Sequence, residues 1–143
     1  MSKRRPYLSY VRNQRGSQII EYILVFPLIW FLFVFGCDQF SIMYQKQKAL
    51  AAAYQAGRFA SVQPNFGLAQ YIAKKQAKKE LKKALYYYEQ GIELRVGGSW
   101  SKGNHLETEV TLTFPLLASG TTYTVAESYY MMIENAEDAE DER

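Results

Sequence analysis

Glu21 is the only charged side chain between Gly16 and Cys37. It lies five residues past a glycine that closes a basic stretch of Lys3, Arg4, Arg5, Arg12 and Arg15, and it stands near the start of a long apolar run. An ionised carboxylate in such a run costs about 2.5–3.5 kcal/mol at the centre of a bilayer and less near its surface, and these groups persist where a positive partner meets them. Cleavage of the Gly16–Ser17 bond would supply that partner. It creates an α-amine about one helical turn from Glu21, and the amine of a neighbouring copy would then pair with the carboxylate in apolar surroundings and set the axial register between subunits. The plainer reading is a glutamate that snorkels to the headgroups.

The other residues capable of chemistry form no catalytic set. His105, the only histidine, has no cysteine or second histidine near it in sequence for a metal site. Gly97-Gly98 lacks the spacing of a phosphate-binding loop. The carboxylates fall mainly in strand-like segments or the tail, and no Ser-His-Asp arrangement is suggested. Cys37 is the single cysteine, which excludes an internal disulfide and a thiolate metal cluster. We expect no enzyme, no cofactor and no metal.

The elements that must position Glu21 begin with the apolar run. From Ile19 to Cys37 the chain is apolar apart from Glu21, with Tyr22 and Trp30 as amphipathic members. As a helix this stretch is about 28 Å long, close to the hydrocarbon thickness of a bilayer. Five basic residues before it predict an N-terminus in the cytoplasm and the bulk of the chain outside. Pro27 removes one backbone bond and is expected to bend this helix without serving chemistry.

Four fates of the N-terminus compete. A secretory signal needs a shorter apolar core and small residues at its cleavage site, which do not follow here. Val34-Phe35-Gly36-Cys37 is similar to a lipoprotein box, but Phe35 is bulky for its place and Glu21 interrupts the apolar region. An unprocessed anchor satisfies hydropathy and charge. Cleavage after Gly16 accounts for Glu21 as well.

The run Gly16-Ser17-Gln18-Ile19-Ile20-Glu21-Tyr22 matches the G-x4-E-Y processing motif of type IVb (Flp) pilins. With Val25-Phe26-Pro27-Leu28, Phe35-Gly36, Asp38 and Ala56-Gly57-Arg58-Phe59-Ala60, it resembles the TadE-like minor pilins, or pseudopilins, of tight-adherence pilus systems. The resemblance covers residues 12–61 well and the remainder in outline. It implies cleavage, with N-methylation, by a membrane aspartic prepilin peptidase. Gly16 is then the last leader residue, Ser17 the new N-terminus, Glu21 the family glutamate and Tyr22 its neighbour in assembly. The implied partners are that peptidase, other pilins, Tad assembly proteins and membrane lipid. The implied role is structural, in a pilus used for adhesion or surface attachment. The alternative is an unprocessed single-pass envelope protein that presents its C-terminal part to a partner.

Composition agrees with a small domain on a stalk. Five of the 17 basic residues precede Gly16 and all 14 acidic residues follow it, so the formal charge of +3 belongs to the leader. A nucleic-acid partner is therefore not expected. The stalk helix is predicted over residues 17–61, its outer half patterned by Phe40, Met43, Tyr44, Leu50, Tyr54 and Phe59. Val62-Gln63-Pro64-Asn65-Phe66-Gly67 should turn the chain. A second helix is predicted over 68–90. Lys74, Lys75, Lys78, Lys79, Lys82 and Lys83 lie on one half, and Ala73, Ala77, Leu81, Ala84, Leu85 and Tyr88 on the other. The lysines read as a solvated face, or as a basic surface for anionic lipid, surface polymers or the acidic tail. Tyr86-Tyr87-Tyr88 is expected to pack at the helix end.

Alternation then signals three strands. Ile92, Leu94 and Val96 mark the first, and Thr108, Val110, Leu112 and Phe114 the second, with a turn at Lys102-Gly103-Asn104 between them. Thr121 to Ile133, carrying Tyr123, Val125, Tyr129 and Met131, reads as the third. The fold class predicted is α+β and type IV pilin-like: a basic leader over 1–16, the long helix spanning a membrane at 19–37, a turn and basic helix over 62–91, and an antiparallel meander over 92–133. Residues 134–143, with six acidic side chains, are expected to be disordered.

Overall fold

A computed structural model describes residues 14–84, 86–87 and 89–136. The part of the expected leader up to residue 13, the packing expected of Leu85 and Tyr88, and the tail from residue 137 lie outside the described residues. The architecture is α+β: a long N-terminal apolar helix, a second helix and a three-stranded antiparallel sheet.

Helix α1 runs over Gln14–Ser61, 48 residues, or about 72 Å. It begins before Ser17, so Gly16 and Ser17 both have helical backbone. A lone glycine disfavours a helix by only about 1 kcal/mol, too little to stop one flanked by good helix-forming sequence. The helix also continues through Pro27.

Pro64 ends it, since the residue before a proline is driven from helical geometry. Asn65 then starts α2, Phe66–Leu81: its side-chain oxygen accepts from the Leu68 N–H at 2.9 Å, satisfying one of the donors that every helix start leaves free. Alanines make the contact between the helices. Ala49, Ala52, Ala53, Ala56 and Ala60 of α1 are buried, as are Ala69, Ala73 and Ala77 of α2, with Leu81 below them. Small side chains let the two backbones approach closely.

Helix α2 stops at Leu81, well short of the predicted residue 90. No breaker in the sequence ends it. The Lys83 and Ala84 N–H groups turn back to the Glu80 and Leu81 carbonyls, and the chain then passes to Tyr86, which α1 captures. Tertiary contact overrides helix propensity here.

The strands are β1 (Glu89–Val96), β2 (His105–Pro115) and β3 (Thr122–Met132), hydrogen-bonded in sequence order. Their inner face carries Leu94, Leu106, Thr108, Val110, Leu112, Phe114 and Val125, all buried against the helices. Gly57 lies where α1 meets the sheet. A Cβ there would stand 3.2 Å from Thr108 Oγ1 and 3.3 Å from Met131 Sδ. Tyr54 packs edge-on against Tyr129, with ring centres 5.1 Å apart.

The far end is tied by hydrogen bonds. Glu134 and Asn135 N–H groups both reach the Ser61 carbonyl at 2.9 and 3.1 Å, and Trp100 Nε1 donates to the Gln63 carbonyl at 3.1 Å. The first two satisfy a carbonyl that the end of α1 leaves free. The head is thus clamped to the outer half of α1, while the inner half projects alone.

Candidate assembly stalk and its junction with the head

Along the projecting half, from Ile19 to Phe35, nearly every apolar side chain is exposed, and no residue of the most apolar stretch is buried by the rest of the chain. The segment is long and apolar enough to cross a membrane. The helical periodicity that buries one stripe of a soluble helix is missing here because apolar residues occupy all sides. Glu21 sits in this sleeve with Tyr22 beside it, both exposed. Gly16 and Ser17 lie on the same helix, so all four predicted site residues occupy its first turns. Along the helical backbone Ser17 precedes Glu21 by about one turn.

The junction is built around Asp38, the residue that follows the apolar run. It is only 8% exposed. Its Oδ1 accepts from the Ala118 N–H at 2.9 Å and the Ser119 N–H at 3.2 Å, both in the loop between β2 and β3. The Ser119 side chain, with those two N–H groups, holds the Asp38 carboxyl below the ordinary carboxylate range, against the opposing effect of burial. One turn further, Ser41 Oγ and Tyr86 Oη are 3.0 Å apart, and the buried Gln45 donates from Nε2 to the Tyr86 carbonyl at 2.6 Å. Three side chains of α1 therefore fix two separate connections of the head at the level where the apolar sleeve ends.

The sequence marked Asp38 only as an acidic position and Tyr86 only as packing. Their partners lie 80 and 45 residues away, respectively, so no local spacing could announce either contact. Tyr86 and Tyr87 do pack on the core, from a connector and not from a helix end.

The six lysines of the basic helix are all exposed, Lys82 and Lys83 standing just past the end of α2. Lys83 pairs with Glu80 at 2.7 Å. His105 is exposed at the start of β2. Among the described residues, no group of histidine, cysteine, aspartate and glutamate could hold a metal ion.

Residues 16–58 match the family model of TadE-like proteins. The match begins at the glycine before Ser17 and runs along α1 as far as Arg58; the second helix and the sheet lie outside it. Comparisons with curated proteins and with solved structures gave no match.

Proposed function

We propose, from the match of residues 16–58 to TadE-like proteins, that the chain is a Tad-pilus-associated structural minor pilin or pseudopilin. In this reading the chain is cleaved after Gly16 by a prepilin peptidase. It resides in the bacterial cytoplasmic membrane with its N-terminus inside and its head outside, and it then joins other pilins and Tad assembly proteins. The observation that carries the reading is the bare apolar sleeve of α1 with Glu21 inside it.

The mechanism is an exchange of surroundings. In the bilayer, lipid covers residues 19–37. In the pilus, neighbouring helices replace lipid around the same residues. Because lipid tails and leucine side chains are equally apolar, the exchange gains little from hydrophobicity, and packing and polar pairing must direct it. The Ser17 amine of one copy meeting Glu21 of another supplies such a pairing and selects one axial offset. The head stays clamped to the outer half of α1 throughout.

A second reading, an unprocessed single-pass anchor presenting the head to an envelope partner, draws on the unbroken helical backbone through Gly16 and Ser17. The intact mass of the protein extracted from membranes separates the two. Loss of residues 1–16 supports the pilin, whereas a chain beginning at Met1 in cells with active prepilin peptidase supports the anchor. A diacylglycerol adduct on Cys37 would overturn both.

A further inference from the structure

The underside of the head presents apolar side chains at the height where the membrane segment ends. Asp38 follows the apolar run directly and binds the loop of residues 116–120 through the Ala118 and Ser119 N–H groups. Leu117, next to that bond, is 59% exposed. Phe40, two residues past Asp38, is 65% exposed. Ser41, which holds Tyr86, stands four residues past Cys37, about 6 Å along the helix axis. The headgroup layer on each side of a bilayer is about 5–7 Å deep. Asp38, Phe40, Leu117 and Tyr86 thus share one thin slab.

We propose that the base of the head and the stalk beside it form a lipid-contacting surface: Leu117 of the head and Phe40, on the side of α1 turned about 200° from Asp38, enter the headgroup layer of the outer leaflet, and Tyr86 lies at the same depth. The inference rests on the reading of residues 19–37 as membrane-spanning. Three observations favour lipid as the occupant. The surface adjoins the apolar sleeve: of the two residues between Cys37 and Phe40, Asp38 is turned to the loop, which leaves Gln39 as the one exposed polar side chain there. Asp38, the acid that follows the apolar run directly, is folded inward, its charge met by loop N–H groups, so it presents no bare carboxylate to lipid. Tyrosine, with an apolar ring and a polar tip, is the residue type favoured at this depth. The Asp38 contact keeps Leu117 from withdrawing, so the head rests on the bilayer in a fixed pose and does not swing on its stalk. Extraction into a pilus must then lift Leu117 out of the headgroups.

The test places one fluorophore on the full chain in a Cys37→Ser background, which has no other thiol, at Leu117→Cys, Lys102→Cys or Ile29→Cys. Each protein is reconstituted in vesicles of phosphatidylethanolamine and phosphatidylglycerol. Quenchers are a headgroup-linked nitroxide, an acyl-chain nitroxide and aqueous iodide. Lys102 lies in the β1–β2 connection at the opposite end of the sheet. The expected result is several-fold stronger headgroup-nitroxide quenching at Leu117→Cys than at Lys102→Cys, with weak iodide quenching, unchanged when lipid is added in excess over protein. If Leu117→Cys behaves like Lys102→Cys while Ile29→Cys is quenched by the acyl-chain nitroxide, the span stands and the lipid surface is refuted. Shielding of Leu117→Cys that disappears on dilution with lipid would assign the surface to a second copy, also refuting it. Failure of acyl-chain quenching at Ile29→Cys would remove the membrane span and the proposal together.

Discussion

Asp38 Oδ1 accepts a 2.9 Å hydrogen bond from the Ala118 N–H across 80 residues of sequence, joining the last turn before the head to the tip of a β-hairpin. The same oxygen takes the Ser119 N–H. The contact decides the angle at which the sheet leaves the stalk, because it lies at the base of the domain, while the Ser61 and Gln63 carbonyls tie the other end.

Replacing Asp38 with alanine leaves two loop N–H groups without their acceptor, so the head should denature at lower urea concentration in detergent micelles. The effect depends on pH with a definite sign. The carboxyl is held below its ordinary value by Ser119 and the loop N–H groups, so its contribution is present in full above the unfolded value of about 3.9 and is lost as pH falls through the lower folded value. Urea midpoints of wild type and Asp38→Ala should differ at pH 7 and converge in that acid window. Equal midpoints at pH 7 would remove Asp38 from the clamp.

Gly57 tests how closely α1 approaches the sheet. Gly57→Ala places a methyl 3.2 Å from Thr108 Oγ1 and 3.3 Å from Met131 Sδ. The flexible end of Met131 can shift, and alanine favours helix by about 0.8–1.0 kcal/mol, so this variant should melt close to wild type. Gly57→Leu has no such relief. Overpacking should cost about 1–3 kcal/mol or more, read as a lower midpoint by circular dichroism.

Asn65→Ala removes the acceptor that starts α2 and should cost about 1 kcal/mol, whereas Asn65→Asp should retain most of the stability. Chemical denaturation of the three proteins side by side gives the ranking.

Glu21→Ala should leave membrane insertion unchanged or slightly improved, since it removes a charge from an apolar segment. Assembly should fail, observed as loss of the protein from sheared pilus fractions with normal amounts in membranes. Normal piliation would count against the pairing of Glu21 with a neighbour's Ser17 amine.

Several features were legible because they are local. A two-residue alternation through Thr108, Val110, Leu112 and Phe114 specified β2 and its buried face, which the structure shows in full. Pro64-Asn65 specified the break between the helices for steric reasons that act within a few residues. The end of α2 at Leu81 is not legible locally, because nothing between Leu81 and Gln90 breaks a helix. Ser41 and Gln45 decide the matter from another element.

The sequence alone determined the apolar sleeve, its lone Glu21, the preceding basic stretch and the α+β order of elements, because charge, hydropathy and periodicity are properties of neighbouring residues. Only the tertiary structure decided which half of α1 is covered, that Asp38 faces the hairpin loop, and that Leu117 is held at the end of the sleeve. Those outcomes depend on pairings between residues far apart in the chain, and such pairings leave no periodic trace in the sequence.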